Sequence, residues 1–255
     1  MSDISAGHRR CPSQLVLVRH GESAGNVADR LAREKGSGVL QIDTRDADTP
    51  LSENGRRQAA GMGRVLAELA EEERPGIVLA SPYRRALETA RIALAESPLV
   101  DEIVVDERLR ERDLGIFDGL TGLGIREKFP EEAERRGREG KFYYRPPGGE
   151  SWTDVALRVR SVLGDIRSEY DGERVWVFSH QAVIMSFRFV IESLDEETLL
   201  GIDTDTPMAN CSRTIYHRGE TGGLELSTYA DTRASDLADA PRTHEAPKHA
   251  GDHDV

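Results

Sequence analysis

Cysteine is scarce in this chain. Cys11 and Cys211 are the only two, one near each end. They offer neither a disulfide framework nor a cysteine-rich zinc site. Long apolar runs are missing as well. No stretch approaches the roughly 20 apolar residues of a membrane helix, and residues 1–10 contain no apolar core of a signal peptide. Positive charge is in deficit, with 34 Lys and Arg against 46 Asp and Glu and a net charge of −12. That balance excludes a general nucleic-acid binder and a protein held on an anionic membrane surface. It also requires any anionic substrate to find a local basic pocket inside an acidic protein. No internal repeat is visible. A soluble, cytoplasmic protein with one substantial core is the expectation for 255 residues.

What the chain does contain is Leu15-Val16-Leu17-Val18-Arg19-His20-Gly21-Glu22-Ser23. Four apolar residues, two of them β-branched, spell a short buried strand over 14–18. The strand ends on Arg19 and His20, at the point where open α/β sheets place their ligands. Gly21 lets the backbone turn without a Cβ penalty. Ser23 and Asn26 follow, both able to donate hydrogen bonds to an oxyanion. Arginine brings a planar fork matched to phosphate oxygens. A neutral histidine brings a nucleophilic nitrogen.

Residues 1–12 read as a flexible leader, and 27–48 as a long loop with at most a turn of helix. Ser52 is an N-cap for a helix to about residue 73, with Ala59, Met62, Val65, Leu66 and Leu69 at helical spacing. Strands follow at 77–80 and 103–105, with a helix between them that Ser81-Pro82 starts. At Arg108 the pattern changes, and residues 112–149 read as an inserted cap with short helices at 123–129 and 130–136. Ser151 and Asp154 spell a capping box before a longer helix. A strand at 174–178 ends in Ser179-His180, and helices follow at 182–191 and 196–201. Two late strands at 211–217 and 224–229 complete a domain spanning 13–232. The polar, aperiodic segment 233–255 reads as a disordered tail. Alternating strands and helices predict a three-layer α/β/α sandwich with a mostly parallel sheet.

Polar residues recur at successive strand ends: Arg19 and His20, then Arg84, Glu111 and His180. Parallel strands bring such ends to one edge. Together they are the parts phosphoryl transfer needs. One histidine attacks, two arginines and a second histidine neutralise oxygens, and a carboxylic acid protonates the leaving group. Arg85 reads as a surface or structural residue, because adjacent helical positions diverge in direction. Glu107 competes with Glu111, which its place before Leu114-Gly115 favours.

The stretches LVLVRHGESAGN, ASPYRRALETA, LRERDLGIFDG, PGGESW and VFSHQAV resemble, in order, the motifs of the histidine phosphatase (phosphoglycerate mutase-like) superfamily. That resemblance implies a phosphohistidine on His20, a phosphate pocket of Arg19, Arg84, His180 and Asn26, and Glu111 as general acid and base. It implies no metal or organic cofactor. Residues 127–183 are most similar to the bisphosphatase half of the bifunctional fructose 6-phosphate 2-kinase/fructose 2,6-bisphosphatase. The kinase half has no counterpart, since a Gly-Lys-Ser/Thr loop is absent. By that resemblance Lys141, Gln181 and Arg136 (or Arg138) contact the sugar phosphate. Trp152, Met185 and Leu123 depart from its tyrosine, arginine and tyrosine, and Arg188 is placed to compensate for Met185. The implied function is hydrolysis of small phosphomonoesters. Phosphoglycerate mutase-type transfer is disfavoured by His180-Gln181-Ala182-Val183-Ile184-Met185, which replaces the mutase's His-Gly-Asn-Ser-Leu-Arg. A non-catalytic phospho-ligand scaffold is disfavoured by the complete residue set.

Overall fold

The computed structural model describes residues 10–96, 100 and 102–244. In chain order, β1 (Gln14–Arg19) leads to α1 (Ala24–Glu34) and α2 (Glu53–Glu68). Next come β2 (Ile77–Ala80), α3 (Arg84–Glu96) and β3 (Ile103–Val105). The cap contributes α4 (Gly122–Lys128) and α5 (Pro130–Glu139). The chain then forms α6 (Trp152–Glu169), β4 (Arg174–Ser179), α7 (Gln181–Ile191) and α8 (Glu196–Asp205). A final pair, β5 (Arg213–Arg218) and β6 (Leu224–Asp231), precedes α9 (Arg233–Leu237).

The strands lie in the order β3-β2-β4-β1-β5-β6. The first four are mutually parallel, and β5 and β6 are antiparallel. Side chains alternate across each strand, so the sheet supplies two cores. Leu15, Leu17, Val175 and Val177 pack with α6 and α7. Val16, Val18, Trp176 and Phe178 pack with α2 and α3. Both faces are covered, which is why β1 and β4 read as unbroken apolar runs. The parallel register sets Arg19 beside Ser179 and Ala80 beside Phe178. His20, Ser81 and His180 therefore emerge together at one edge.

Two segments differ from expectation. Residues 27–48 are not one long loop, because α1 reaches Glu34. Ser23 and Asn26 form a capping box that starts it. Its buried stripe is only Ala28 and Ala32, too small to show as an apolar period. The chain after Thr232 is likewise not disordered as far as His244. The helix α9 lies along α2, where Gly61 lets the Ala234 carbonyl approach; a Cβ at 61 would collide with it. Arg64 donates to the Leu237 carbonyl at 2.6 Å, and Ala209 bridges to His244. The expected leader also ends in structure, since Cys11 and Pro12 are buried and the Cys11 N–H donates to Asp171 at 2.8 Å. Residues 1–9 and 245–255 of the expected leader and tail lie outside the described residues. Among the described residues, no helix is long and apolar enough to cross a membrane.

Candidate active site

The loop after β1 is gripped from several directions. Arg19 is fully buried and donates to the Met208 carbonyl. His20 is nearly buried, and its Nδ1–H donates to the Gly21 carbonyl at 2.7 Å. Only an N–H can satisfy a carbonyl, so in the neutral ring the lone pair sits on Nε2. The Gly21 N–H donates to Thr89 Oγ1 at 3.0 Å. No side chain fits at 21, because a Cβ would lie 2.5 Å from the Gly55 carbonyl. The start of α2 is thereby pressed against this loop. Ser23 and Asn26 line the cavity beside His20. Asn26 Oδ1 accepts from the Ser23 N–H at 3.0 Å and the Ser23 hydroxyl at 3.1 Å, which leaves its amide nitrogen for the cavity.

His180 follows β4 and is fully buried. Its ring centroid is 5.1 Å from that of His20. Nε2 meets Ser81 Oγ at 2.8 Å, and Nδ1 lies 4.0 Å from Glu111 Oε2. Among the described residues no hydrogen-bond partner meets His180 Nδ1. A buried polar atom without a partner is costly, so this position suits a ligand oxygen. Burial, reinforced by Arg85, His20, Arg158 and Arg19, pushes His180 well below its ordinary pKa.

The second arginine is Arg85, not Arg84. Arg84 has a side chain 57% exposed and faces Glu88 at 4.0 Å. Arg85 is buried, lines the cavity with His20, and lies 5.2 Å from the Tyr83 ring. Helical phase explains it. Thr89, Ala90 and Ala93 form the buried face of α3, and Arg85 is one turn before Thr89 on that face. Asp46 orients the Arg85 guanidinium with contacts at 2.9 and 3.1 Å.

Glu111 lines the same cavity and accepts from the Arg112 N–H at 2.8 Å. Its segment is clamped by Glu150, whose carboxylate binds Arg110 at 2.7 Å, Arg158 at 3.0 Å and the Asp113 N–H at 3.1 Å. The cap lines one side of the cavity, which holds about 450 Å³. Leu40, Ile42, Phe117, Leu120 and Ile125 give it an apolar wall. Arg112 and Arg136 add positive charge; burial and then Arg136 push Arg112 down to about 10. Arg112 went unrecognised in the sequence because it sits within a charge run that reads as solvated.

His20, Ser23, Asn26, Glu111 and Arg136 line one cavity, with Arg85 there in place of Arg84; His180 packs against His20, and Arg19, next to His20 in the chain, is buried. The structure does not bring Lys141 and Gln181 into the cavity lining. Both donate instead to Asp203 of α8, at 3.2 and 2.6 Å. Met185 is fully buried in the core, and Arg188 pairs with Glu192 at 2.8 Å, so neither serves this pocket.

Comparison with known proteins agrees with this geometry. Residues 15–232 match the histidine phosphatase superfamily (branch 1). A 6-phosphofructo-2-kinase/fructose-2,6-bisphosphatase of Caenorhabditis elegans is 32% identical over 246 residues, 91% of this chain but 46% of that protein. The chain thus spans less than half the length of that relative. A metal-independent phosphoserine phosphatase of Arabidopsis thaliana is 33% identical over 68% of this chain and 66% of its own length. Among solved structures, a mycobacterial glucosyl-3-phosphoglycerate phosphatase complexed with VO3 superposes with a TM-score of 0.65 at 29% identity, covering 86% of this chain and 99% of that one. A buried strand ending in Arg19-His20, a second buried histidine against it and a matched span of 15–232 have one reading: this chain belongs to the histidine phosphatase superfamily.

Proposed function

We propose that the protein is a phosphatase of small phosphomonoesters that works through a phosphohistidine on His20. The observation that carries this reading is the Nδ1–H contact of His20 with the Gly21 carbonyl at 2.7 Å. It puts the lone pair on Nε2 of a ring that lines a cavity with Arg85 and Glu111 and packs against His180. His20 Nε2 attacks phosphorus, the bond from phosphorus to the ester oxygen breaks, and the Glu111 carboxylic acid gives its proton to the departing alkoxide. Glu111, now a carboxylate, takes a proton from water, and the resulting hydroxide cleaves the phosphorus–nitrogen bond. Inorganic phosphate and neutral His20 remain. Arg19 and Arg85 hold the equatorial oxygens throughout, and His180 joins them as the anion draws it toward protonation.

The cavity fits an ester of modest size. Its apolar wall accepts carbon, and Arg112 with Arg136 favours a second acidic group on the leaving alcohol. The relatives named above act on phosphoserine, a sugar bisphosphate and a glucosylated phosphoglycerate, all phosphomonoesters that carry more than one polar group. A strong preference for fructose 2,6-bisphosphate is disfavoured, because Asp203 engages Lys141 and Gln181.

Substrate labelled at phosphorus leaves an acid-labile, base-stable label on the wild-type protein and none on His20→Ala, which is also inactive. Glu111→Gln slows alkyl phosphates far more than aryl phosphates, whose leaving groups need little protonation. Label that persists in His20→Ala overturns the nucleophile. Equal slowing of both ester classes in Glu111→Gln overturns the acid.

A further inference from the structure

Two buried amides connect the nucleophile loop to the segment that follows α9. Gln58 of α2 and Asn210, just before β5, are both fully buried. Gln58 Oε1 accepts from the Glu22 N–H at 2.9 Å, and its Nε2 donates to the Pro241 carbonyl at 2.8 Å and Thr243 Oγ1 at 3.3 Å. Asn210 Nδ2 donates to the His20 carbonyl at 3.2 Å and to Asn26 Oδ1 at 3.3 Å. Its Oδ1 accepts from the Thr243 hydroxyl at 3.0 Å, and its N–H donates to the Thr243 carbonyl at 2.8 Å. Each amide has a backbone group as partner, and a backbone group has only one sense. Glu22 N–H requires an oxygen and the carbonyls of Pro241 and His20 require N–H, so both amide orientations are fixed.

The Gln58 contact has a specific consequence. The Glu22 N–H and the Gly21 carbonyl belong to one planar peptide group. Gln58 holds one end of that plane, and the other end accepts the His20 Nδ1–H. Rotation of the peptide would withdraw the acceptor that selects the His20 tautomer and aims the ring. We propose that Gln58 is a positioning residue for the nucleophile, held in place by Pro241 and Thr243. Asn210 is the companion brace: it fixes the His20 carbonyl and turns the Asn26 amide nitrogen toward the cavity. The stretch 241–243 is therefore part of the catalytic scaffold, although it touches no substrate. This inference rests on the reading of His20 as nucleophile.

The test uses the full chain with Gln58→Leu, Gln58→Glu and Thr243→Val. Five readouts are taken: the pre-steady-state rate of phosphoryl transfer from p-nitrophenyl phosphate, its KM, orthovanadate affinity, melting temperature, and ¹⁵N shifts that report the His20 tautomer without substrate. A misplaced nucleophile costs up to about 10²-fold in rate. Gln58→Leu is expected to lose roughly ten- to a hundred-fold in phosphoryl transfer, to lose the Nδ1–H tautomer preference, and to keep its KM within about three-fold. Gln58→Glu keeps the acceptor for Glu22 but opposes the Pro241 carbonyl, so it falls between wild type and Gln58→Leu. Thr243→Val shows the same changes at smaller size. The proposal is overturned if folded Gln58→Leu keeps the wild-type tautomer and rate. It is also overturned if rate, vanadate affinity and melting temperature fall together in Gln58→Leu while Thr243→Val and Gln58→Glu leave the tautomer untouched. A wild-type protein that forms no phosphohistidine overturns the functional reading instead, and the tautomer measurement still reports on Gln58.

Discussion

The sheet edge and the cap fix their polar groups by different means. At the sheet edge, three side chains are anchored to backbone, while His180 meets the Ser81 side chain. Arg19 binds the Met208 carbonyl, His20 the Gly21 carbonyl at 2.7 Å, and Ser179 the Leu109 carbonyl at 2.8 Å. In and around the cap, several side chains are anchored to other side chains, although Arg112 binds the Glu150 carbonyl at 2.8 Å. Lys141 and Gln181 share Asp203, Tyr144 donates to Glu132 at 2.6 Å, and Arg135 pairs with Glu139 at 2.7 Å. A backbone anchor moves only if the fold moves. A side-chain anchor can be exchanged by one substitution. The first arrangement suits groups that must be in place before a transition state forms. The second suits groups that decide which leaving group fits, and it lets specificity change while the chemistry stays.

The largest expected effect separates two neighbours on α3. Arg85→Ala removes a buried donor from the proposed phosphate pocket, and removal of such a donor costs about 10²–10³-fold in turnover. Arg84→Ala removes an exposed charge 4.0 Å from Glu88, and its effect should stay within about two-fold. Steady-state kinetics with p-nitrophenyl phosphate decides. Loss of activity in Arg84→Ala with retention in Arg85→Ala would place the pocket on the opposite face of the helix and break the comparison.

Next in size is the response to pH. His180 is buried, and its folded pKa lies below the ordinary value of about 6.5. Between those two values the unfolded chain binds a proton that the folded chain does not. Stability is therefore full above about pH 6.5 and is lost as pH falls, by about 1.4 kcal/mol per pH unit until the folded pKa is reached. Inorganic phosphate beside Arg19 and Arg85 raises the His180 pKa and flattens that slope, and its binding takes up protons. Chemical denaturation across the acid range, with and without saturating phosphate, measures the first effect. Calorimetry in buffers of different ionisation enthalpy measures the second. His180→Gln should abolish both. Retention of the full slope in that variant would assign it to another group.

These differences also explain what the sequence could reveal. Strand ends are legible because a buried apolar run has few places to stop, and polar residues at its end must face the sheet edge. His20 and His180 follow from that logic, whereas Glu111 lies six residues beyond the short, largely exposed β3 and was favoured by its place in the motif. Arg85 needed one more step, the helical phase shared with Thr89 and Ala93. Arg112 was hidden because Trp152 and the Glu150 carbonyl, which pack on it, come from a distant segment. The stretch after Thr232 was hidden for another reason. Its order comes from hydrogen bonds to Gln58, Arg64 and Asn210 and from the space at Gly61, none of which shows in its own composition. In the cap, Arg136, which the resemblance assigns (with Arg138 as the alternative) to the sugar phosphate, lines the cavity, but the partner of Lys141 and Gln181 is a carboxylate on a helix whose role no motif marks.

That carboxylate gives the smallest expected effect and the sharpest probe of the cap. Asp203 accepts from Lys141 and Gln181, and its side chain is 12% exposed. Asp203→Asn keeps the volume and removes the charge, so the Lys141 ammonium is no longer neutralised. A charge-assisted hydrogen bond to a second phosphate contributes roughly 1.5–3 kcal/mol. Lys141 lies 5.9 Å from the Trp152 ring and must swing toward the cavity, and ordering such a side chain costs about 0.5–1.5 kcal/mol. At the midpoints of these ranges the net gain is about 1.3 kcal/mol, or roughly eight-fold in binding. Asp203→Asn should therefore lower the KM for fructose 2,6-bisphosphate by that factor and leave p-nitrophenyl phosphate unchanged. Lys141→Ala in the otherwise native chain should be nearly silent on both substrates, because its charge is already occupied. If Asp203→Asn slows both esters alike, Asp203 supports the catalytic edge through Gln181, which adjoins His180, and the division between backbone-anchored chemistry and side-chain-anchored specificity fails at this residue. If Lys141→Ala alone raises the bisphosphate KM ten-fold, the lysine already contacts substrate and Asp203 orients it.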